Sequence, residues 1–582
     1  MRFGPFELDL RAGELRKEGR RIRLQEQPFQ ILRMLLQSPG DVVLREEIRN
    51  QLWPPDIVVE FEHSINAAVK RLRAALRDSA DKPRYIETMA RRGYRFICPV
   101  EAPDGKPAEA ADRRPASAPA SAILTPSIAV LPFADMSGDK ENEYFSDGLA
   151  EEIINKLTRV PGLKVIARTS AFAFKGKHED IRKIAEVLGV ASVLEGSVRR
   201  SGSRVRVVAQ LITAVDGSHL WSERYDREMA DIFAIQDEIA QAIASALQIQ
   251  LSAISSPYTP RLPAYEAYLK ARHCMAAFTR ESLLRSRDFC ERAIALDAGF
   301  APAHSGLAAS FVLSVLPGLS PARTSLPLAR AAAQKALDLE PASPEAHAVL
   351  GMVAALYEID WVEAKRCFRL AVAREPVPPY VRWHYGFAYL VPMGRTRECI
   401  EQCMRGLQDD PLNFVGGFTY AGGLLAGGSE EAGEAELREL SELHPNLYQP
   451  FYLLALSLAL RGLHAEALAA AENAYSRAAW HTGATGLFAG ALARAGKKRC
   501  AEELLQKLLP GDQYGTPLGL LLYHLMCSEM DRAADWAAKV FEERDPRLIF
   551  VIALLRTPSR NILLSNRKWS ALAGALHVPL EV

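Results

Sequence analysis

Residues 65–78 of the chain are INAAVKRLRAALRD, and their side chains could hold a polyanion. Lys70, Arg71, Arg73 and Arg77 are permanently charged, and no acidic residue between 63 and 77 is placed to neutralise them. At 100° per residue, Ile65, Ala68, Val69, Leu72 and Leu76 share one face about 100° wide, the stripe of a helix packed on a core. The bases spread over the opposite face, with the small residues Asn66, Ala67 and Ala74 between them. A merely solvated helix more often carries Glu at i,i+4 to its bases. The chemistry offered is charge-assisted hydrogen bonding to phosphate oxygens. The bland reading is an exposed basic helix.

The next residues supply elements to position such a helix. In PRYIETMARRGYRFI (83–97), Tyr85–Thr88 and Tyr94–Ile97 alternate as strands, and Ala90-Arg91-Arg92-Gly93 forms the turn between them. A hairpin tipped with two arginines beside a basic helix is the layout of a winged helix. The helix enters the major groove, and the wing sets cations on neighbouring phosphates. Charge agrees: residues 1–100 hold 19 Lys/Arg and 14 Asp/Glu, while the 582-residue chain carries only +1, so the remainder is slightly acidic.

Residues 3–98 resemble the DNA-binding domain of OmpR/PhoB-type response regulators. The resemblance rests on short opening strands (Phe3, Phe6, Leu8, Leu15, Ile22, Leu24), a helix after LQEQP (24–28), VVLREEIRNQLWPP (42–55), the basic helix and the closing RRGYRF. It implies an α+β winged helix-turn-helix that binds double-stranded promoter DNA. The implied contacts are Asn66, Ala67, Lys70, Arg71, Arg73 and Arg77 on the helix, and Arg91, Arg92 and Tyr94 on the wing. Ala68 stands where the family often has a polar base reader. The segment Trp53–Phe61 resembles the loop through which some relatives touch RNA polymerase, which points to Trp53, Pro54, Asp56 and Glu60. No receiver segment precedes the winged helix in this sequence, so receiver phosphorylation is not the expected input. The plan resembles that of the invasion-type soluble regulators.

Residues 101–124 (EAPDGKPAEAADRRPASAPASAIL) are rich in Ala and Pro and read as a linker. Residues 125–252 alternate strand and helix signals in the order βαβαββα, including a hairpin around Ser201-Gly202, and suggest a small α/β domain. SIAVLPFADMSGDKENEYFSDGLAEEIINKL, KVIARTSAFAFKGK, VLEGSVRRSG and DGSHLWSERYDR resemble the TolB amino-terminal-like domain, a frequent companion of repeat arrays. Asp147, Glu151 and Glu152, or Arg199, Arg200 and His219, could line a ligand pocket. The carboxylates could equally favour the first turn of a helix through its dipole, with the arginines flanking a turn.

From residue 263 to 582 the strand signals vanish and a repeat emerges. Pro341, Pro376, Pro411 and Pro445 are spaced 35, 35 and 34 apart, the period of a tetratricopeptide (TPR) helix–turn–helix unit. An insertion around 314–327 lengthens the first interval. The expected fold is therefore multidomain: winged helix (1–100), linker, small α/β domain (125–252) and all-α TPR solenoid (263–582).

The remaining features exclude function classes. The eight cysteines are scattered without zinc-site spacing, which predicts reduced, buried thiols and no metal. The charged start is no signal peptide, and the apolar runs near 451–460 and 517–526 are too short to span a bilayer. Phosphate-loop, dinucleotide, zinc-protease and nucleophile-elbow motifs are absent. AGGLLAGG (421–428) and the isolated His273 and His304 read as packing positions. These signs predict a cytoplasmic, cofactor-free, non-enzymatic transcriptional regulator that binds DNA in pairs of protomers and docks a protein or peptide in its TPR groove. The rivals are a TPR scaffold whose winged helix contacts protein, and a small-molecule sensor in the α/β domain.

Overall fold

The structure, a computed structural model, divides into two compact units, residues 1–123 and 124–582. It describes residues 2–3, 6–9, 14–17, 20–22, 26–37, 42–44, 48, 52, 61–76, 78, 83–89 and 93–98 of the first, and 126–137, 143–177, 179–247, 249, 258–277, 280–509, 514–555 and 562–579 of the second. The linker assigned to 101–124 lies outside them.

In the first unit, β1 (Arg2–Phe3), β2 (Phe6–Asp9), β3 (Glu14–Lys17) and β4 (Arg20–Ile22) form an antiparallel meander. Helix α1 (Glu26–Gln37) packs against α2 (Phe61–Leu76). A second sheet, in the order β5-β7-β6, joins β5 (Val42–Leu44), β7 (Gly93–Phe96) and β6 (Ile86–Met89). Aromatic rings tie the two sheets together: Phe3 meets Phe96 edge-on at 5.0 Å, and Phe6 meets Tyr85 at 5.4 Å.

The second unit opens with a sheet in the order β10-β8-β11-β12-β13: β10 (Lys164–Val165), β8 (Ser127–Val130), β11 (Ser192–Ser201), β12 (Arg204–Thr213) and β13 (His219–Glu228), with β9 (Ala134–Asp135) pairing β11. The first three are parallel, and β11, β12 and β13 are antiparallel. Helices α3 (Glu143–Thr158), α4 (Arg168–Phe172), α5 (Ile181–Leu188) and α6 (Ile232–Ala246) complete it. The expected hairpin turns at Gly202, whose φ is 58°. The βαβαββα pattern omits β13, a ten-residue strand, so the observed order carries three consecutive long strands before the last helix. Strand β13 pairs only with β12 and leaves most side chains exposed, so it lacks the apolar alternation that marks a half-buried strand.

The helical part begins with α7 (Leu262–Ala277). Helix pairs then repeat. Their second helices start at Trp361, Thr396, Glu430, His464, Lys498 and Met530, intervals of 35, 34, 34, 34 and 32 residues. Pro341, Pro376, Pro411 and Pro445 all sit in turns between helices. The region around 314–327 ends one helix and begins another, Ala322–Leu339, longer than the later second helices. Gly423 lets its helix approach closely, since a Cβ there would meet Cys399 Sγ at 3.2 Å. Cys399 and Cys403 are buried as free thiols, whereas Cys500 is exposed, contrary to a uniformly buried set.

The α/β layer and the array share one core. Tyr265, Leu269, Phe300 and Ala303 pack in the same cluster as Ile128, Leu149 and Ile239. Ion pairs reinforce the joint. Asp147, 3% exposed, accepts from Lys175 Nζ at 2.7 Å and lies 3.1 Å from His273 Nδ1. Burial opposes its charge, but the hydrogen bonds from His273 and Lys175 hold its carboxyl below the ordinary range. Glu151 pairs with Arg168 at 3.1 Å and with Arg272. A second joint lies far along the sequence, where Asp410 Oδ1 accepts from Ser170 N at 2.9 Å and from Ser170 Oγ at 2.5 Å. Burial pushes the Asp410 carboxyl up to about 6.

Removing Asp147 takes away the buried acceptor that Lys175 and His273 share and leaves Lys175 only its ion pair with Glu143, so Asp147→Ala is expected to destabilise the second unit by about 2 kcal/mol in thermal unfolding of the full chain. Asp410 gives a pH signature. Its folded form holds a proton that the unfolded chain releases near pH 4, so its effect on stability worsens as pH rises from about 4 to 6. Melting of the parent minus that of Asp410→Asn, measured across this range, should fall with rising pH by the equivalent of about 3 kcal/mol. A flat difference would refute the buried, proton-holding carboxyl.

Candidate nucleic-acid interface

The basic helix is α2, and its five apolar positions are those it buries: Ile65, Ala68, Val69, Leu72 and Leu76 are each at most 2% exposed. Ala68 thus faces the core and is no base reader. Burial of the four larger side chains contributes about 1.5–3 kcal/mol each, which fixes the helix's rotation about its own axis. With that face inward, Lys70 and Arg71 are exposed.

Arg73 behaves differently. Its guanidinium Nη2 donates to Ile86 O at 2.9 Å and to Thr88 Oγ1 at 2.7 Å, so the side chain ties α2 to β6. Asp78 completes the connection just after the helix. Its Oδ1 accepts from Arg84 N at 2.7 Å, and its Oδ2 from Ile86 N at 2.8 Å and Tyr85 N at 3.3 Å. One carboxylate therefore satisfies three backbone donors where the chain enters the hairpin. Across the hairpin, Glu87 opposes Arg95 and accepts from its Nε at 2.9 Å and Nη2 at 2.6 Å, which offsets that cation's charge.

The expected contacts divide accordingly. Lys70 and Arg71 share an exposed surface. Arg73 is half-buried and structurally engaged. Tyr94, expected on the wing's binding surface, is 2% exposed and belongs to the core, because it lies on the same face of β7 as Phe96, a strand that packs against α1. Asn66 and Ala67 lie on α2, but their side chains fall outside the described ones. Arg77, Arg91 and Arg92, and the polymerase candidates Trp53, Pro54, Asp56 and Glu60, also lie outside the described residues. The sequence reading overlooked Asp78. An acidic residue closing a basic helix, eight residues before a strand, was its one available signal.

The second unit's candidates do not converge on one site: four of them are engaged with other residues. Asp147 and Glu151 hold the joints given above. Arg200 pairs with Glu266 at 2.9 Å, and Glu152 accepts from Asn155 at 3.3 Å. Arg199 and His219 are exposed on separate strands. No cluster of metal-binding side chains occurs among the described residues, and no described helix is long and apolar enough to cross a membrane.

Arg73→Ala should lower the stability of the first unit by about 1 kcal/mol, the value of charge-assisted bonds discounted for partial exposure. Lys70→Ala should stay within about 0.5 kcal/mol of the parent. Hydrogen exchange at residues 86–89 reads both: equal protection in the two variants would show that Arg73 does not tie the helix to the hairpin.

Comparison with known proteins accords with this geometry. Residues 19–96 match the family described as transcriptional regulatory protein, C terminal. Residues 124–245 match the HilA/YgeH-like transcriptional regulator, second domain. The chain is 43% identical over 235 residues to "Putative adenylate cyclase 3" of Rhizobium meliloti, covering 39% of this chain and 40% of that protein. It is 22% identical over 432 residues to the transcriptional regulator HilA of Salmonella typhimurium, 72% of each chain. A solved structure of PilF from Pseudomonas aeruginosa shares 18% identity, covers 40% of this chain and 98% of that one, and has a TM-score of 0.31. The chain thus spans less than half of the first of these relatives. Residues 19–96 belong to the OmpR/PhoB-type transcriptional regulatory domain family, and the chain is a homologue of the HilA-like transcriptional regulators.

Proposed function

We propose that the chain is a sequence-specific DNA-binding transcriptional regulator. The observation that carries this reading is helix α2, which buries its whole apolar face and leaves Lys70 and Arg71 outward. In this reading α2 lies in the major groove of promoter DNA, and its exposed cations meet phosphates or base edges. Arg73 and Asp78 act as positioning residues that hold helix and hairpin at a fixed angle. Arg77, Arg91 and Arg92 add phosphate contacts, and Trp53, Pro54, Asp56 and Glu60 contact RNA polymerase. Protomers bind in pairs on repeated half-sites in the cytoplasm, and the repeat array docks a protein partner. We assign the chain no catalytic step, since Asp147, Glu151 and Arg200 are engaged in holding the second unit together. The same pairing disfavours a ligand pocket there.

Binding of promoter fragments by the full chain, followed across salt, tests this reading. Each phosphate contact contributes a salt slope of about −0.9. Lys70→Ala with Arg71→Ala should therefore flatten the slope by about 2 and weaken binding at low salt, with melting unchanged. Binding that ignores both substitutions and salt would favour a protein-docking scaffold.

A further inference from the structure

One helix of the array differs from all its neighbours. Leu548–Leu555 (LIFVIALL) carries no polar side chain, and Leu548, Ile549, Val551, Ile552, Ala553, Leu554 and Leu555 are at most 4% exposed. The helix before it, Met530–Glu542, keeps an exposed polar side, as a surface helix does. A helix apolar all round must be enclosed on every side.

The enclosing surface belongs to distant repeats. Phe550 stacks on Phe387 with ring centroids 3.7 Å apart. Ile549 and Ala553 join a core built from residues 308–426, while Leu548, Val551 and Ile552 join one built from 421–578. The helix also touches Phe414–Ala426. Phe387 and Phe414–Ala426 belong to the first helices of successive pairs. In a solenoid each repeat touches only its neighbours, and the concave side they line takes ligands. Here a single segment bridges repeats about 120 to 160 residues away from it and packs on their first helices.

Its polar attachments lie outside the helix, at its shoulders. Asp545 clasps Arg547 through Nε at 2.8 Å and Nη2 at 2.5 Å, and Arg547 Nη1 lies 3.2 Å from His481 Nε2. Arg544 Nη1 reaches Tyr357 O at 3.3 Å, and Trp361 Nε1 donates to Leu576 O at 2.8 Å. The helix itself meets the groove through apolar side chains, which are non-directional. Its site therefore selects for an uncharged, apolar helix of about two turns, and it cannot be left empty without exposing apolar surface to water.

We propose that Leu548–Leu555 is a built-in ligand of the repeat groove, and that the external partner of this groove is an uncharged apolar helix that replaces it. The proposal stands on the fold of the second unit and does not depend on the DNA-binding reading.

The test uses the full-length chain and a fluorescent synthetic peptide of residues 545–555. Hydrogen exchange without peptide should show 548–555 opening before Val381–Tyr385 and Thr516–Met526. With peptide, binding should saturate at one per chain and accelerate exchange at the chain's own 548–555. Phe550→Ala weakens the internal ligand and should tighten peptide binding at least tenfold. A peptide carrying Ile552→Lys should not bind. If 548–555 exchanges only with global unfolding and neither chain takes up the peptide, the helix is fixed core and the proposal fails. Equal uptake of the Ile552→Lys peptide would overturn the assignment of an apolar partner.

Discussion

The second unit is governed by an eight-residue segment with no face for water. Leu548–Leu555 must be surrounded, and the repeats surround it. A stack of helix pairs is otherwise quasi-one-dimensional, each pair stabilised by its neighbours and free to flex along its length. A helix that packs at once against Phe387 and against Phe414–Ala426 converts local contacts into a closed body. The bond from Arg323 to Glu542 O closes the same gap from the outside. Early and late repeats therefore cannot move apart without breaking long-range contacts.

The α/β layer obeys a related constraint. Its carboxylates at 147 and 151 are buried, and a buried charge is tolerated only with partners. Those partners come from within the layer (Lys175, Arg168) and from the first array helix (His273, Arg272), so the cost of burial is offset in full when layer and array are docked. Asp410 repeats the principle from the far side, taking both the hydroxyl and the backbone N–H of Ser170. Asp147, Glu151 and Arg200, which read as pocket candidates in the sequence, are in space part of the fastening between two layers.

Legibility followed the range of the interactions. The five buried positions of α2, the hairpin about Gly202 and the proline-marked repeats are periodic or local features, and periodicity reveals them in one dimension. What escaped depends on distant partners. Arg73 looks like Lys70 and Arg71 in the sequence, yet the carbonyl of Ile86 thirteen residues on makes it structural. Tyr94 alternates with Arg95 as a wing residue should, but it shares its strand face with Phe96, and that face is the one turned to the core. Strand β13 leaves most of its side chains exposed, so it carries no buried alternation for the sequence to show. LIFVIALL is conspicuous as an apolar run, but only the fold reveals what encloses it.

The division of the basic residues bears on how such a module can be read at all. A recognition helix must be rigidly held and yet keep cations outward, and the two demands compete for the same side chains. Here they are met by different residues. Arg73 and Asp78 are spent on the hairpin, Arg95 is balanced by Glu87, and Lys70 and Arg71 stay exposed. Charge counting over residues 1–100 treats all nineteen bases alike and so overstates the surface open to a polyanion. Of the helix's described bases, Lys70 and Arg71 are the outward pair, and the angle at which they are offered is set by the inward Arg73.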